Sequence, residues 1–126
     1  MAQTLLRGNP VQTAGDLPTI GAAAPAFTLK DAKLQPVSLA DFIGKKVVIS
    51  IFPSIDTPTC ATSTRKFNEQ AAGKTNTVVL TVSEDLPFAL GRFCGAEGIE
   101  NVHTLSAFRS SFGKDYGVEM TTGPLT

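Results

Sequence analysis

The sequence predicts an α/β layered fold in a single domain, and three observations carry that prediction. Two β-branched runs, Lys46-Val47-Val48-Ile49-Ser50-Ile51-Phe52 and Asn76-Thr77-Val78-Val79-Leu80-Thr81-Val82, read as strands. The segment between them is rich in residues that a helix holds, and strand-like and helix-like stretches go on alternating after it. Pro and Gly are spread along the chain as punctuation, with no internal repeat and no low-complexity tract. A chain of 126 residues is long enough for one core and too short for two of ordinary size.

Each element follows from local pattern. Thr4-Leu5-Leu6-Arg7 and Val11-Gln12-Thr13 flank Gly8-Asn9-Pro10 and form a small N-terminal hairpin, in which Pro10 limits ladder bonding. Ala26-Phe27-Thr28-Leu29-Lys30 alternates like a strand, and Ser38-Leu39-Ala40-Asp41-Phe42 reads as a short helical turn ended by Gly44. The run from Lys46 to Phe52 has the near-continuous apolar character of a central strand buried on both faces. Thr59 to Ala72 is the helix that Gly73 ends, so the unit reads strand, helix, parallel strand with a right-handed crossover. A shorter helix runs from Leu86 to Cys94, with Ser83 or Asp85 as its N-cap and Gly95 just beyond its end. Asn101-Val102-His103-Thr104-Leu105 is a third strand and Phe108 to Tyr116 a further helix. The last residues, Thr121-Thr122-Gly123-Pro124-Leu125-Thr126, read as a turn entering another strand, which predicts a missing C-terminal segment.

Composition narrows the function. The 11 basic residues balance the 11 acidic ones without a block of either sign, which argues against nucleic acid and membrane surfaces as partners. No apolar run is long enough to cross a bilayer. The N-terminus lacks the basic start and apolar stretch of a secretory signal. Two cysteines fall far below the density of a disulfide-stapled secreted scaffold, which makes a reducing compartment, the cytoplasm, the default. No Cys or His cluster has metal-site spacing and no glycine-rich phosphate loop occurs, so neither a metal nor an organic cofactor is expected. The lone His103 reads as structural.

The chemistry is expected at the cysteines. With Thr57 as N-cap, Pro58 falls at the first helical position, where its missing N–H is no loss, and Cys60 at the third. Unpaired backbone N–H groups and the positive end of the helix dipole there favour a thiolate over a thiol. Pro53 and Pro58 stiffen the approach, and the Thr57 hydroxyl can both accept from Cys60 and donate to an incoming oxygen. A peroxide needs such a thiolate aimed at one oxygen and donors on the other. The competing reading makes Cys60 a small buried residue at the start of a core-packed helix. Cys94 has the same alternative, as the apolar end of a helix that packs Phe88, Leu90 and Phe93 inward.

Pro53-Ser54-Ile55-Asp56-Thr57-Pro58-Thr59-Cys60 resembles the peroxidatic loop of peroxiredoxins: a proline, three residues, a threonine or serine, two residues, and the attacking cysteine. Asn9-Pro10-Val11, Arg65-Lys66-Phe67-Asn68, Asp85-Leu86-Pro87-Phe88-Ala89 and Arg92-Phe93-Cys94-Gly95-Ala96-Glu97-Gly98 are similar to the bacterial thiol peroxidase branch, in the same order. The likeness runs from about Gln3 to Leu125. It implies a thioredoxin-like α/β fold with a central mixed sheet, helices on both faces and an N-terminal hairpin, filling residues 1–126 as one domain cut short at its C-terminus.

The resemblance also implies roles. Cys60 would be the peroxidatic cysteine, Thr57 its hydrogen-bonding partner, Pro53 the shield of the pocket and Cys94 the resolving cysteine. Hydrogen peroxide and organic hydroperoxides would be reduced through a Cys60 sulfenic acid, resolved as an intrachain disulfide and recycled by thioredoxin, in a homodimer. That disulfide closes a loop worth about 4 kcal/mol of chain entropy. Both cysteines belong to helices, so each is expected to unwind locally to meet the other, and Gly91 and Gly95 lower the stability of the helix that carries Cys94. Phe27, Phe52, Phe88 and Phe93 are candidates for an apolar rim, with core packing the expectation for at least two of them. The family's bracing arginine lies on a strand beyond the Gly-Pro-Leu turn, a position past Thr126, which leaves Arg65, Arg92 and Arg109 as other sources of charge. Two further readings stay open: a redox switch or interaction module without turnover, and an inactive fragment.

Overall fold

The computed structural model of the protein describes residues 2–71 and 74–126. In chain order the elements are β1 (Ala2–Leu6), β2 (Asn9–Thr13), β3 (Thr28–Asp31), β4 (Pro36–Ser38), a 3-10 turn (Leu39–Phe42), β5 (Lys46–Ile51), α1 (Pro58–Ala71), β6 (Thr77–Ser83), α2 (Pro87–Glu97), β7 (His103–Ser106) and α3 (Phe112–Asp115). They fall into two compact units, one holding the residues up to Phe27 together with Arg109–Thr126, the other Thr28–Phe108.

In the first unit β1 and β2 pair antiparallel from Ala2↔Thr13 to Leu6↔Asn9. Arg7 and Gly8 form the turn with φ of 51° and 81°, the positive pair that a two-residue hairpin turn requires. The reversal therefore sits one residue earlier than the sequence suggests, and Pro10 lies within β2 opposite Leu5. Phe27, Phe112 and Tyr116 build the core of this unit. Phe27 meets Phe112 edge-on at 5.4 Å between centroids and Phe112 stacks on Tyr116 at 4.3 Å. The Tyr116 hydroxyl donates to the Pro25 carbonyl at 2.7 Å, so the ring is buried with its polar end satisfied. The expected helix from Phe108 to Tyr116 shrinks to the single turn α3, because Arg109 has φ of 60° and no right-handed helix passes through that conformation.

The second unit is a five-stranded mixed sheet in the order β4-β3-β7-β6-β5. β5, β6 and β7 run parallel, with Lys46↔Thr77 and Leu80↔His103 fixing their registers, and β3 pairs antiparallel with β7. β4, which the sequence pattern did not announce, adds an antiparallel edge. β6 is the most deeply buried strand, its residues from Val78 onward all inside. β5 corrects the expectation of a central strand: it forms the other edge and buries no residue, leaving Val48 and Ile51 40% and 38% exposed. A β-branched run shows that a strand forms, whereas its place in the sheet depends on which strands flank it. α1 packs on β6 and α2 on β7. Ile55, Ala61, Val79, Leu90, Phe93, Ile99 and Val102 form the core between them. The expected end of α1 at Ala72 and Gly73 lies outside the described residues.

The three parallel strands deliver their C-terminal ends to one edge of this sheet. There the Phe52 N–H donates to the Val82 carbonyl at 3.1 Å and the Ala107 N–H to the Ser83 carbonyl at 2.7 Å. Loops that leave such an edge are where layered α/β folds assemble sites.

Candidate active site

The loop from Phe52 to Thr57 leaves β5 at that edge and starts α1. Pro58 is the first residue of the helix, and the Thr57 carbonyl accepts the first intrahelical bond from the Ala61 N–H at 3.0 Å. Cys60 is thus the third helical residue, where backbone N–H groups have no carbonyl of their own helix to bond. Its side chain is half-buried and its thiol is not bonded to Cys94. The Cys60 carbonyl accepts a second bond from the hydroxyl of the buried Thr64 at 3.0 Å, which ties the first turn to the second.

A chain of hydrogen bonds fixes the loop. The Thr57 hydroxyl and N–H both donate to the Ser54 carbonyl, at 2.9 and 3.2 Å. The hydroxyl proton is therefore engaged inside the loop in this state. The Ser54 hydroxyl accepts from the Asp56 N–H at 3.1 Å and donates to one carboxylate oxygen of Asp85 at 2.7 Å. The other Asp85 oxygen accepts from the Ile55 N–H at 2.7 Å and from the Ser83 hydroxyl at 2.6 Å. Asp85 is not the N-cap that the sequence suggested: Leu86 takes that position without a side-chain cap, and Pro87 opens α2.

α2 runs a turn beyond the expected end, through Gly95 to Glu97, and stops at Gly98 with φ of 64°. The Cys94 carbonyl accepts from the Gly98 and Ile99 N–H groups, so this residue anchors the helix end. Its sulfur lies 3.4 Å from the hydroxyl of buried Thr104 on β7. Cys94 packs against the same core that holds Ile55 and Ala61, the neighbours of the Cys60 loop and first turn. Two ion pairs link α2 to the Cys60 segment. Arg92 pairs with Asp56 at 2.7 Å, ahead of both cysteines in sequence, and Arg65 pairs with Glu97, behind both.

Pro53, Thr57 and Cys60 thus share one loop and first turn, with Pro53 exposed and Thr57 half-buried. Of the phenylalanines, Phe27 and Phe93 are core residues of their units, Phe52 packs against the core cluster, and Phe88 is 68% exposed on the first turn of α2. Arg65 and Arg92 are engaged with carboxylates, and Arg65 also lies over the Phe93 ring at 5.6 Å. His103 is exposed, its ring tilted against Phe42 at 5.3 Å. Among the described residues no group of three or more His, Cys, Asp and Glu could hold a metal ion. No described helix is long and apolar enough to cross a membrane. Sequence reasoning missed Ser54, Asp85 and Thr104 as parts of the site. Ser54 and Asp85 do lie in stretches that carry the resemblance, which is the one signal that singles them out.

Comparison with known proteins gives a consistent picture. Residues 19–126 match the redoxin family. The chain is 58% identical over 125 residues to a thiol peroxidase of Mycobacterium tuberculosis, covering 99% of this chain and 75% of that protein. It is 56% identical to a thiol peroxidase of Corynebacterium glutamicum, covering 99% of this chain and 76% of that one. Among solved structures, a peroxiredoxin-like protein from Aquifex aeolicus superposes with a TM-score of 0.90 at 40% identity, over 98% of this chain and 72% of that one. A thiol peroxidase from Chromobacterium violaceum does so with a TM-score of 0.81 at 27% identity, over 94% of this chain and 69% of that one.

Proposed function

The chain belongs to the redoxin family, within its thiol peroxidases, and from that membership we propose that Cys60 is the peroxidatic nucleophile and Cys94 the thiol that resolves it. The Cys60 thiolate attacks the terminal oxygen of a hydroperoxide and the O–O bond breaks. The leaving oxygen takes a proton and departs as an alcohol, or as water from hydrogen peroxide, leaving Cys60 as a sulfenic acid. The Cys94 thiol then attacks the Cys60 sulfur, forming the disulfide and releasing water. Thioredoxin, the proposed reductant, restores both thiols by exchange, itself becoming oxidised.

The observation that carries this reading is the position of Cys60. It is the third residue of α1, behind Pro58, and a hydrogen-bonded loop holds Thr57 beside it. The N–H groups of that turn stabilise negative charge on sulfur and, as the O–O bond breaks, on oxygen. In this reading Thr57 is the hydrogen-bonding partner of the reacting atoms and Pro53 shields them from water. Phe88, exposed at the start of α2, is the remaining candidate for an apolar rim that favours alkyl hydroperoxides. We place the enzyme in the cytoplasm, as a single-domain subunit of a homodimer.

Intact mass before and after one equivalent of hydroperoxide, with a non-reducing peptide map, tests the chemistry. A Cys60–Cys94 disulfide is expected; an unchanged mass would overturn the proposal. Repeated turnover with thioredoxin and its reductase separates an enzyme from a switch, which oxidises once and stops.

A further inference from the structure

We propose that Asp85 is a positioning residue for Cys60, holding the loop that aims the sulfur at the peroxide; this rests on Cys60 being the peroxidatic nucleophile. One carboxylate gathers three donors: the Ser54 hydroxyl and the Ile55 N–H from the loop after β5, and the Ser83 hydroxyl from the end of β6. Its own backbone carbonyl accepts from the Ser106 hydroxyl at the end of β7. Asp85 therefore joins the C-terminal ends of all three parallel strands at the point where α1 begins.

The link from Asp85 to Cys60 is short and continuous. Ser54 and Ile55 are held by the carboxylate, the Ser54 carbonyl holds Thr57 through both of its donors, and the Thr57 carbonyl receives the first bond of α1. The Asp56 amide bonds to the Ser54 hydroxyl. Every hydrogen bond described for residues 54–57 through main-chain N–H or hydroxyl groups thus ends on Ser54 or on Asp85. Ionised acceptors make stronger bonds than neutral ones, and Ile55 is buried, so its N–H has no water to turn to if the carboxylate is lost.

Displacement at a peroxide oxygen demands alignment of sulfur with the O–O bond, and small errors in position cost large factors in rate. Alkylation by a small freely diffusing reagent needs only an accessible thiolate. Loss of the Asp85 anchor should therefore separate the two reactions, which a merely structural residue would not do.

The experiment uses the full chain in a Cys94→Ser background, with hydrogen peroxide and iodoacetamide as probes and the mass of Cys60 as readout. Asp85→Ala is expected to lower the second-order rate with peroxide at least tenfold while alkylation changes less than threefold. Asp85→Asn, which keeps a carbonyl oxygen for the Ile55 N–H, is expected to recover part of the loss. Ser54→Ala removes one donor to the carboxylate and the acceptor of the Asp56 N–H but leaves the Ile55 and Ser83 bonds to Asp85, and gives an intermediate value, which keeps the test open should the alanine variant at Asp85 fail to fold. Peroxide and alkylation rates that fall together, or that both stay unchanged in folded variants, would overturn this inference alone. A parent Cys60 that alkylates but resists peroxide would overturn the peroxidatic reading and this inference with it.

Discussion

Gly95→Ala tests whether unwinding of α2 limits disulfide formation. Gly95 is interior to α2, one residue after Cys94, and a methyl group added there meets no atom within 4 Å outside its own helix. The substitution is therefore free of clash and gains the full difference in helix propensity, about 0.8–1 kcal/mol. At RT of about 0.59 kcal/mol this lowers the population of an unwound last turn about four- to fivefold. Because the Cys94 carbonyl anchors that turn through Gly98 and Ile99, its release is tied to the same opening. Disulfide formation after a peroxide pulse should slow about four- to fivefold, followed by quenched-flow mass spectrometry. The longer-lived sulfenic acid should also raise the sulfinic fraction at high peroxide. The melting temperature should rise by about 4 °C. A raised melting temperature with an unchanged rate of disulfide formation would refute the reasoning, since the helix would be stiffer without mattering to resolution.

Three further outcomes are expected. Arg92→Ala should speed disulfide formation about twofold, and about 0.5 M salt should do the same in the parent: the pair with Asp56 is 64% and 63% exposed, so it contributes at most about 1 kcal/mol and is screened. Quenched flow at two ionic strengths checks this, and a rate insensitive to both changes would rule out the ion pair as a restraint. Gly117→Ala should destabilise the protein by more than about 2 kcal/mol in denaturant titration, since φ is +69° and the new Cβ would lie 2.1 Å from the Asp16 carbonyl oxygen; a neutral result would show that this turn relaxes. Tyr116 should ionise above the ordinary tyrosine range in an absorbance titration, because burial, followed by the nearby charge of Asp115, raises its pKa. The folded state then holds this proton more tightly than the unfolded chain. The contribution is complete below about pH 10 and is lost as pH rises through the folded value, so stability should fall with pH in that alkaline window.

How much was legible depended on the range of the interaction. The start of α1 was fully readable, because Pro58 and the N-cap position act within four residues of Cys60. The hairpin was readable for the same reason, with an error of one residue, since Arg7 supplies a positive φ that its residue type does not advertise. Asp85 reads as an N-cap in the sequence because a local rule matches it: an aspartate just ahead of a helix is a good cap. Its carboxylate instead bonds residues 30 and 31 positions earlier, which no local rule weighs. Cys94 was placed at a helix end because Gly95 follows it, but glycine stops a helix only where the backbone turns left-handed, and that happens at Gly98.

The sequence by itself determined that the protein is a layered α/β domain with a thiol at a helix start, because periodicity, capping and propensity act over a few residues. Tertiary structure alone decided that β5 lies at an edge and β6 inside the sheet, that a carboxylate from one loop holds the loop leading to Cys60, and that ion pairs tie the two cysteine-bearing segments together. Those features depend on which distant groups are brought within hydrogen-bonding distance. A residue's type states what it can bond, and only the fold supplies the partner.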